Sequence, residues 1–413
     1  MPGLIDLVRV NAAKEVTWGT KVTPATVTFM GVKDFKVMPI VESEVIKDVR
    51  GSLVPGVLAV VKKIGMTASL TRFATYEDAP YTLDALCGLA TATPGATLAI
   101  SSATNATPIV ITCATHGLAD GDPVVISGVL GNTAANASCY AKVTGYSATT
   151  FGMYSDKALT TAITGNGAYT SGGTVTKQPY TYAYTAPITG QIVPRIQTLY
   201  QYSNDVNSLQ AYYAAIGCVL SKFALKADSL TPVEFAEDYI GKQVSAAIVG
   251  DVGSPIDRTV TPIMGNDHAL WIDAWGGTIG TTAITPDAYS LSIQIDPPRE
   301  VVYYLGSALP GTWKDGRWKG SMKLTLEFGT ATKAYYDAIL AATSNFQKQI
   351  RNKFTNGTSS LQFDFAGTNV KAPQLFTNKN GVLTIELELE GTYNSTLANW
   401  FKAVAVNSVA AMA

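Results

Sequence analysis

Histidine is nearly absent: His116 and His268 are the two in 413 residues, which leaves little material for acid-base or imidazole-metal chemistry. The four cysteines, Cys87, Cys113, Cys139 and Cys218, form no CxxC pair and no metal-ligand spacing, a pattern expected of a chain made in a reducing compartment. Charge is scarce too, at 15% of residues, with a formal net charge of -1. That balance argues against a protein whose main task is gripping nucleic acid, because phosphate binding needs an excess of Lys and Arg on one surface. No apolar run approaches the roughly 18 residues that span a bilayer. No P-loop or GxGxxG occurs, and the opening MPGLIDLVRVNAAKEV carries charges where a secretory signal needs its apolar core. His116 in THGLADGD, close to Asp120 and Asp122, reads as part of a polar turn, and Cys113 as a small buried strand residue. The inventory leads to no expected catalytic residue, metal or cofactor.

What the chain does have is a frame written twice. Residues 51–81, GSLVPGVLAVVKKIGMTASLTRFATYEDAPY, and 306–336, GSALPGTWKDGRWKGSMKLTLEFGTATKAYY, align without a gap at an offset of 255. They share Gly51/Gly306, Ser52/Ser307, Pro55/Pro310, Gly56/Gly311, Gly65/Gly320, Phe73/Phe328, Thr75/Thr330, Ala79/Ala334 and Tyr81/Tyr336. Glycine and proline fix backbone geometry, so their coincidence signals a repeated path of the chain rather than a repeated composition. Further on, PVEFAEDYIGK (232–242) matches VLTIELELEGT (382–392) at an offset of 150. The first copy must therefore hold about 105 residues that the second lacks.

An insertion is visible where the arithmetic asks for it. From 93 to 178 the composition shifts to Thr, Ala, Gly, Ser and Asn, and short β-branched runs (PIVITCA, PVVISGV) alternate with turn clusters (THGLADGD, LGNTAAN). Small all-β modules are written this way, whereas disordered linkers combine high net charge with few apolar residues. Outside it, SMKLTLEF and VLTIELELEG alternate apolar and polar residues as half-buried strands do. YEDAPYTLDALCGL and KAYYDAILAAT occupy matching places and predict short helices packed on the sheet of their own copies.

The stretches EVTWGTKVTP, VRGSLVPGVLAVVKKIGMTASLTRFATYEDAPYTLDALCG, YTYAYTAP, TLYQY and EFAEDYIGKQV together resemble the major tail tube protein of long-tailed bacteriophages. The insertion, with NATPIVITCATHGLADGDPVVISGVLGNTAAN, TTFGMY and GNGAYTSGGT, resembles the small β-barrel module named after the first catalytic cysteine half-domain of ubiquitin-activating enzymes. Neither Cys113 nor Cys139 inherits a catalytic role from that name, since the adenylating and thiol-transfer parts of such enzymes are absent.

The resemblance implies a mainly β fold: a tandem duplicated tail-tube sandwich or barrel with short flanking helices, plus the inserted all-β domain. The division is 1–92 with 179–254, 93–178, and 255–413. The implied function is structural and not enzymatic. Three chains, each supplying two adjacent staves, form a ring, and rings stack into the virion tube through which DNA leaves. Implied partners are the chain itself, a tape measure protein in the bore, terminator and tail-tip or baseplate proteins at the ends, and DNA in transit without sequence reading. The implied locations are the phage tail and, during assembly, the host cytoplasm. In the family a long loop reaches the neighbouring ring; here its counterparts are the Gly/Pro-rich segments 41–62 and 299–319, with Gly51, Ser52, Pro55 and Gly56 in one and Gly306, Ser307, Pro310 and Gly311 in the other. The bore needs short-range repulsion of phosphate, and the candidates for it are Glu234, Asp238, Glu386, Glu388 and Glu390 on strand polar faces, although alternation alone leaves open which face is inside. Rival readings are a tail terminator or baseplate hub of the same fold, and a surface adhesin that reads its target with the inserted domain.

Overall fold

The computed structural model describes residues 8–46, 58–203, 212–253, 258–284, 288–340, 346–369, 377–379 and 381–409. The chain is mainly β. In order come β1 (Val8–Lys14), β2 (Val27–Thr28), β3 (Val32–Ile46), β4 (Leu58–Phe73) and α1 (Ala79–Cys87). Next are β5 (Thr97–Ala103), β6 (Val110–Cys113), β7 (Asp122–Ser127), β8 (Ser138–Lys142), β9 (Thr150–Tyr154) and β10 (Thr174–Lys177). They are followed by β11 (Tyr180–Thr185), β12 (Gln197–Ser203), β13 (Tyr212–Asp228), β14 (Glu234–Gly241), β15 (Gln243–Ala246) and the single turn α2 (Val249–Val252). The remainder comprises β16 (His268–Ala274), β17 (Ser290–Asp296), β18 (Glu300–Val302), β19 (Thr312–Lys314), β20 (Lys319–Glu327), α3 (Thr330–Leu340), β21 (Gln347–Asn356), β22 (Ser359–Asn369), β23 (Thr377–Lys379), β24 (Val382–Gly391) and β25 (Phe401–Asn407).

Strands β5 to β10 close into a six-stranded barrel in the order β10-β5-β6-β9-β8-β7. Its interior is its own: Ile109, Ile111, Val124, Phe151, Met153 and Val175 are fully buried in a cluster separate from the main core. Entry and exit of the insertion are tied at the base, where Thr93 and Thr181 exchange two backbone hydrogen bonds of 2.8 Å.

Most of the remaining strands pair in the same pattern twice. In the first half β1 pairs β12, β12 pairs β13, β13 pairs β14, β14 pairs β4, and β4 pairs β3. In the second, β16 pairs β21, β21 pairs β22, β22 pairs β24, β24 pairs β20, and β20 pairs β17. A helix follows the fifth strand of each series, α1 after β4 and α3 after β20. The ladders also correct the gap-free offset. Arg72 faces Phe235 as Leu326 faces Ile385, and Leu70 faces Glu237 as Leu324 faces Leu387, so β4 maps on β20 at 254. Phe35 faces Leu70 while Leu291 faces Leu324, so β3 maps on β17 at 256. The offset of 255 is the mean of the two, and on either strand alone it exchanges the buried and solvent faces, because side chains alternate with period two.

The halves share one inner sheet, β3-β4-β14-β13-β17-β20-β24-β23, joined where β13 pairs β17 from Phe223↔Ile295 to Asp228↔Ser290. Its buried side carries Leu70, Phe223, Leu225, Phe235, Ile293, Ile295, Leu324, Ile385 and Leu387 in a single apolar cluster. Long β13 serves two layers. Its first part pairs β12 and β15, and its second part pairs β14 and β17. The turn between them is made at Gly217, at φ +72°, where a Cβ would lie 3.1 Å from the indole nitrogen of Trp18, a position that glycine alone accepts without strain. Glu15, buried behind this bend, accepts hydrogen bonds from the Gly217 amide and the Thr198 hydroxyl, both at 2.7 Å.

Two features cross the sequence division. β11, which precedes β12 in the first half, pairs along its whole length with β25 at the end of the second. From the second half, Arg299 is buried against the first. It donates to the carbonyls of Ala85 and Leu86 at the end of α1 and of Leu220 in β13, each at 2.7 Å, and pairs with Asp315 at 2.9 Å beneath Trp313 and Trp318.

Candidate functional site

The solvent face of the inner sheet collects the acids singled out from sequence. Register carries one row across five strands: Glu234, Lys226, Ser292, Lys323, Glu388. Neighbouring rows hold Asp228, Ser290, Thr325 and Glu386, and Ala236, Ala224, Gln294, Ser321 and Glu390. Asp238 lies beside Ser69 and Lys222. Glu234, Asp238, Glu386, Glu388 and Glu390 thus share one face of one sheet, on the side away from the core. Alternation places them there, since Phe235, Ile385, Leu387 and Leu389 between them are fully buried.

That face is not uniformly acidic. Lys323 pairs with Glu386 at 2.8 Å, Lys226 with Asp228 at 3.1 Å, Lys36 with Asp34 at 2.7 Å, and Lys33 with Glu234. Reading one strand of each copy finds the carboxylates and misses the lysines, because Lys222, Lys226 and Lys323 lie on the strands laid alongside. The result is a polar, locally neutralised surface in which acids and bases alternate across strands, and such exposed pairs contribute little each to stability. Desolvation opposes ionisation of Asp228, yet its hydrogen bonds to Lys226 and Lys379 hold its carboxyl below the usual range.

Of the two candidate stacking segments, Gly51, Ser52, Pro55 and Gly56 lie outside the described residues. The strands flanking them form a hairpin arm, β3 with β4, which runs past the end of β14 and exposes Val41, Val45 and Val61. In the second copy the chain breaks at Pro297 and Pro298 and resumes as the small β18–β19 hairpin, with Gly306, Ser307, Pro310 and Gly311 at its end. This hairpin lies down on the first copy; Gly306, Ser307 and Gly311 are exposed and Pro310 is buried.

Other chemistry-bearing side chains are taken up internally. His116 is buried in the barrel, its Nδ1 accepting from the Leu118 amide at 3.0 Å and its Nε2 facing the carbonyls of Ser147 and Thr150 at 3.3 and 3.2 Å. His268 Nε2 meets Asn352 Oδ1 at 3.0 Å. All four cysteines are buried and unbridged, and burial pushes the Cys87 and Cys139 thiols up to about 12. Among the described residues no group of three His, Cys, Asp or Glu side chains is placed to hold a metal ion, and no helix is long and apolar enough to cross a membrane.

A buried polar cluster built round Arg72 belongs to the first copy. Arg72 donates to Glu237 at 3.1 Å and to Thr82 at 2.6 Å, and Tyr239 donates to Glu237. Burial opposes the charge on Arg72, but Glu237 and Asp78 outweigh it and raise its pKa. At the corresponding ladder positions of the second copy stand Leu326 and Leu387, so the same place in the fold is filled once by ions and once by hydrocarbon. Comparison with protein-family models returns no match to this chain, and comparison with curated proteins returns none either.

Proposed function

We propose that the chain is a self-assembling tube protein of a long-tailed phage virion, three copies closing a ring whose bore is lined by the polar face of the inner sheet. The observation that carries this reading is the β13–β17 junction. Two topologically equal copies are already joined edge to edge, and among the described residues β3 at one end and β23 at the other each have a ladder partner on one side only. An open pair of matching edges invites pairing, and a closed ring removes both.

The internal junction supplies the register of the external one. Lys226 faces Ser292 and Asp228 faces Ser290. Carried over by the ladder correspondences, Thr377 of one chain faces Lys36 of the next, and Lys379 faces Asp34. The mixed-charge face suits a conduit, since a wall of lysines would hold DNA and acids at short range repel it within about one Debye length, roughly 8 to 10 Å. Terminator or hub proteins of the same fold would end a tube instead of propagating it. The test is the native mass of released rings together with disulfide capture in Asp34→Cys/Lys379→Cys. Three chains per ring and a covalent trimer are expected; six chains per ring would overturn the fused-stave reading.

A further inference from the structure

Both copies present the same groove, and in one of them it is filled. In the first copy β14 ends at Gly241, opposite Met66, while β4 continues towards Leu58. The edge left open there is taken by the β18–β19 hairpin of the second copy. The Ile64 amide donates to the Ala308 carbonyl at 2.8 Å, the Tyr303 hydroxyl donates to the Ile64 carbonyl at 3.1 Å, and the Lys63 ammonium lies 5.5 Å over the Tyr303 ring. Both backbone polar groups of Ile64 are satisfied on the side where β14 has stopped.

In the second copy β24 ends at Gly391, and the β20–β24 ladder, extended by one step, sets it opposite Gly320. Arg317, Trp318, Lys319 and Gly320 therefore stand where Lys63, Ile64, Gly65 and Met66 stand in the first. These four, with Asp296, Ser321, Glu390 and Gly391, line an open groove of about 440 Å³. The Trp318 indole nitrogen is buried in its wall without a hydrogen-bond partner, a costly state for a donor.

We propose that this groove receives the β3–β4 hairpin of a second copy of the chain, repeating between molecules the contact that β18–β19 makes within one. The proposal rests on the ring reading and adds a lateral latch to it. The hairpin cannot come from the same chain. β3 and β24 are six strand intervals apart in the inner sheet, about 29 Å at ordinary strand spacing, and β18–β19 likewise reaches back from its own copy onto the preceding one. The β3–β4 arm is the topological counterpart of β18–β19. It also exposes apolar side chains, with Val41 61%, Val45 53% and Val61 52% accessible, as a hairpin that covers them against a second molecule would.

The test uses the full chain with one cysteine in the arm and one in the groove, Val45→Cys with Lys319→Cys, and a short bismaleimide; the native thiols are buried and do not compete. Isolated rings should yield covalent dimers and trimers, and neither single variant should. Rings that assemble without these products overturn the latch and leave the ring reading standing. Products that form only after rings stack overturn it as well, since the arm would then be a contact between rings. Wild-type chain that forms no ring sinks the ring reading itself. As an independent arm, Ser321→Trp fills the mouth of the groove from the solvent face. It should leave the circular dichroism and melting of the monomer unchanged and cut ring yield at least tenfold; normal rings from folded Ser321→Trp overturn the proposal.

Discussion

Replacing Arg299 with alanine tests whether the two copies are clamped or merely adjacent. The guanidinium satisfies the carbonyls of Ala85, Leu86 and Leu220 and neutralises Asp315, all away from solvent. Breaking a buried ion pair from one side costs about 3–5 kcal/mol, because the partner charge is left uncompensated. The orphaned carbonyls each add up to about 1 kcal/mol, but part of that is recovered where water enters the gap. A net loss of about 4 kcal/mol is expected, which for a chain of this size lowers the melting temperature by roughly 5 °C. Arg299→Lys keeps the charge yet cannot span four diverging acceptors, so it should recover less than half of the loss. Urea unfolding followed by tryptophan fluorescence is the assay, with Trp313 and Trp318 stacked on the guanidinium as local reporters. A cycle with Asp315→Ala separates the ion pair from the carbonyl contacts. A loss below about 1 kcal/mol in Arg299→Ala would show that apolar packing along β13 and β17 fixes the junction and that the clamp is incidental.

Arg72→Leu alone should cost about 3–5 kcal/mol, whereas Arg72→Leu with Glu237→Leu should cost less than either single change, since the second copy already builds the site from Leu326 and Leu387; denaturation midpoints decide. Burial raises the pKa of Glu15 against the hydrogen bonds from Gly217 and Thr198. A raised acid favours the fold fully below its unfolded value of about 4.3 and loses that contribution as pH climbs through the folded value. Wild type should therefore lose ground to Glu15→Gln between about pH 4 and neutrality, and a flat difference in urea midpoints would refute this. The barrel should show the opposite sign. Asp120 is held below the usual range first by the Thr144 hydroxyl and then by the Thr144 and Val143 amides, and Asp156 by the Thr160 and Thr161 amides. An isolated 93–178 fragment should fold alone and weaken as pH falls below about 4, measured by thermal melts across pH 2 to 5. Changing Glu386, Glu388 and Glu390 together to lysine should leave rings intact and slow genome delivery at low salt, with recovery as salt rises. Unchanged delivery would place that face outside the bore.

Strands with one wet face were legible because burial imposes a period of two: β20 and β24 could be read residue by residue from SMKLTLEF and VLTIELELEG. The inserted barrel was legible for a related reason, its turn clusters falling between short β-branched runs. The register of the repeat was not, because a hairpin shortened by two residues spreads its change over both arms and leaves an alignment that looks gapless. Nor could pairing partners be read. YTYAYT announces a strand but not that it belongs with FKAVAVN, and the acids of β24 give no hint of Lys323 alongside them. Arg299 was invisible as a clamp, since its partners are backbone carbonyls from two distant elements and carry no side-chain signature.

The pairing of β11 with β25 sets a timetable for biosynthesis. β11 leaves the ribosome early and its ladder partner is the last strand of the chain, with about two hundred residues between them. At about 5–20 residues per second, β11 waits roughly 10 to 40 s with one edge unfilled, while the barrel just before it can close on its own strands at once. The inserted domain is thus a finished body tethered next to an unfinished edge for most of translation. A bulky neighbour of that kind shields the edge from the strands of other nascent chains, so the barrel can govern how much of the protein folds correctly whatever else it does.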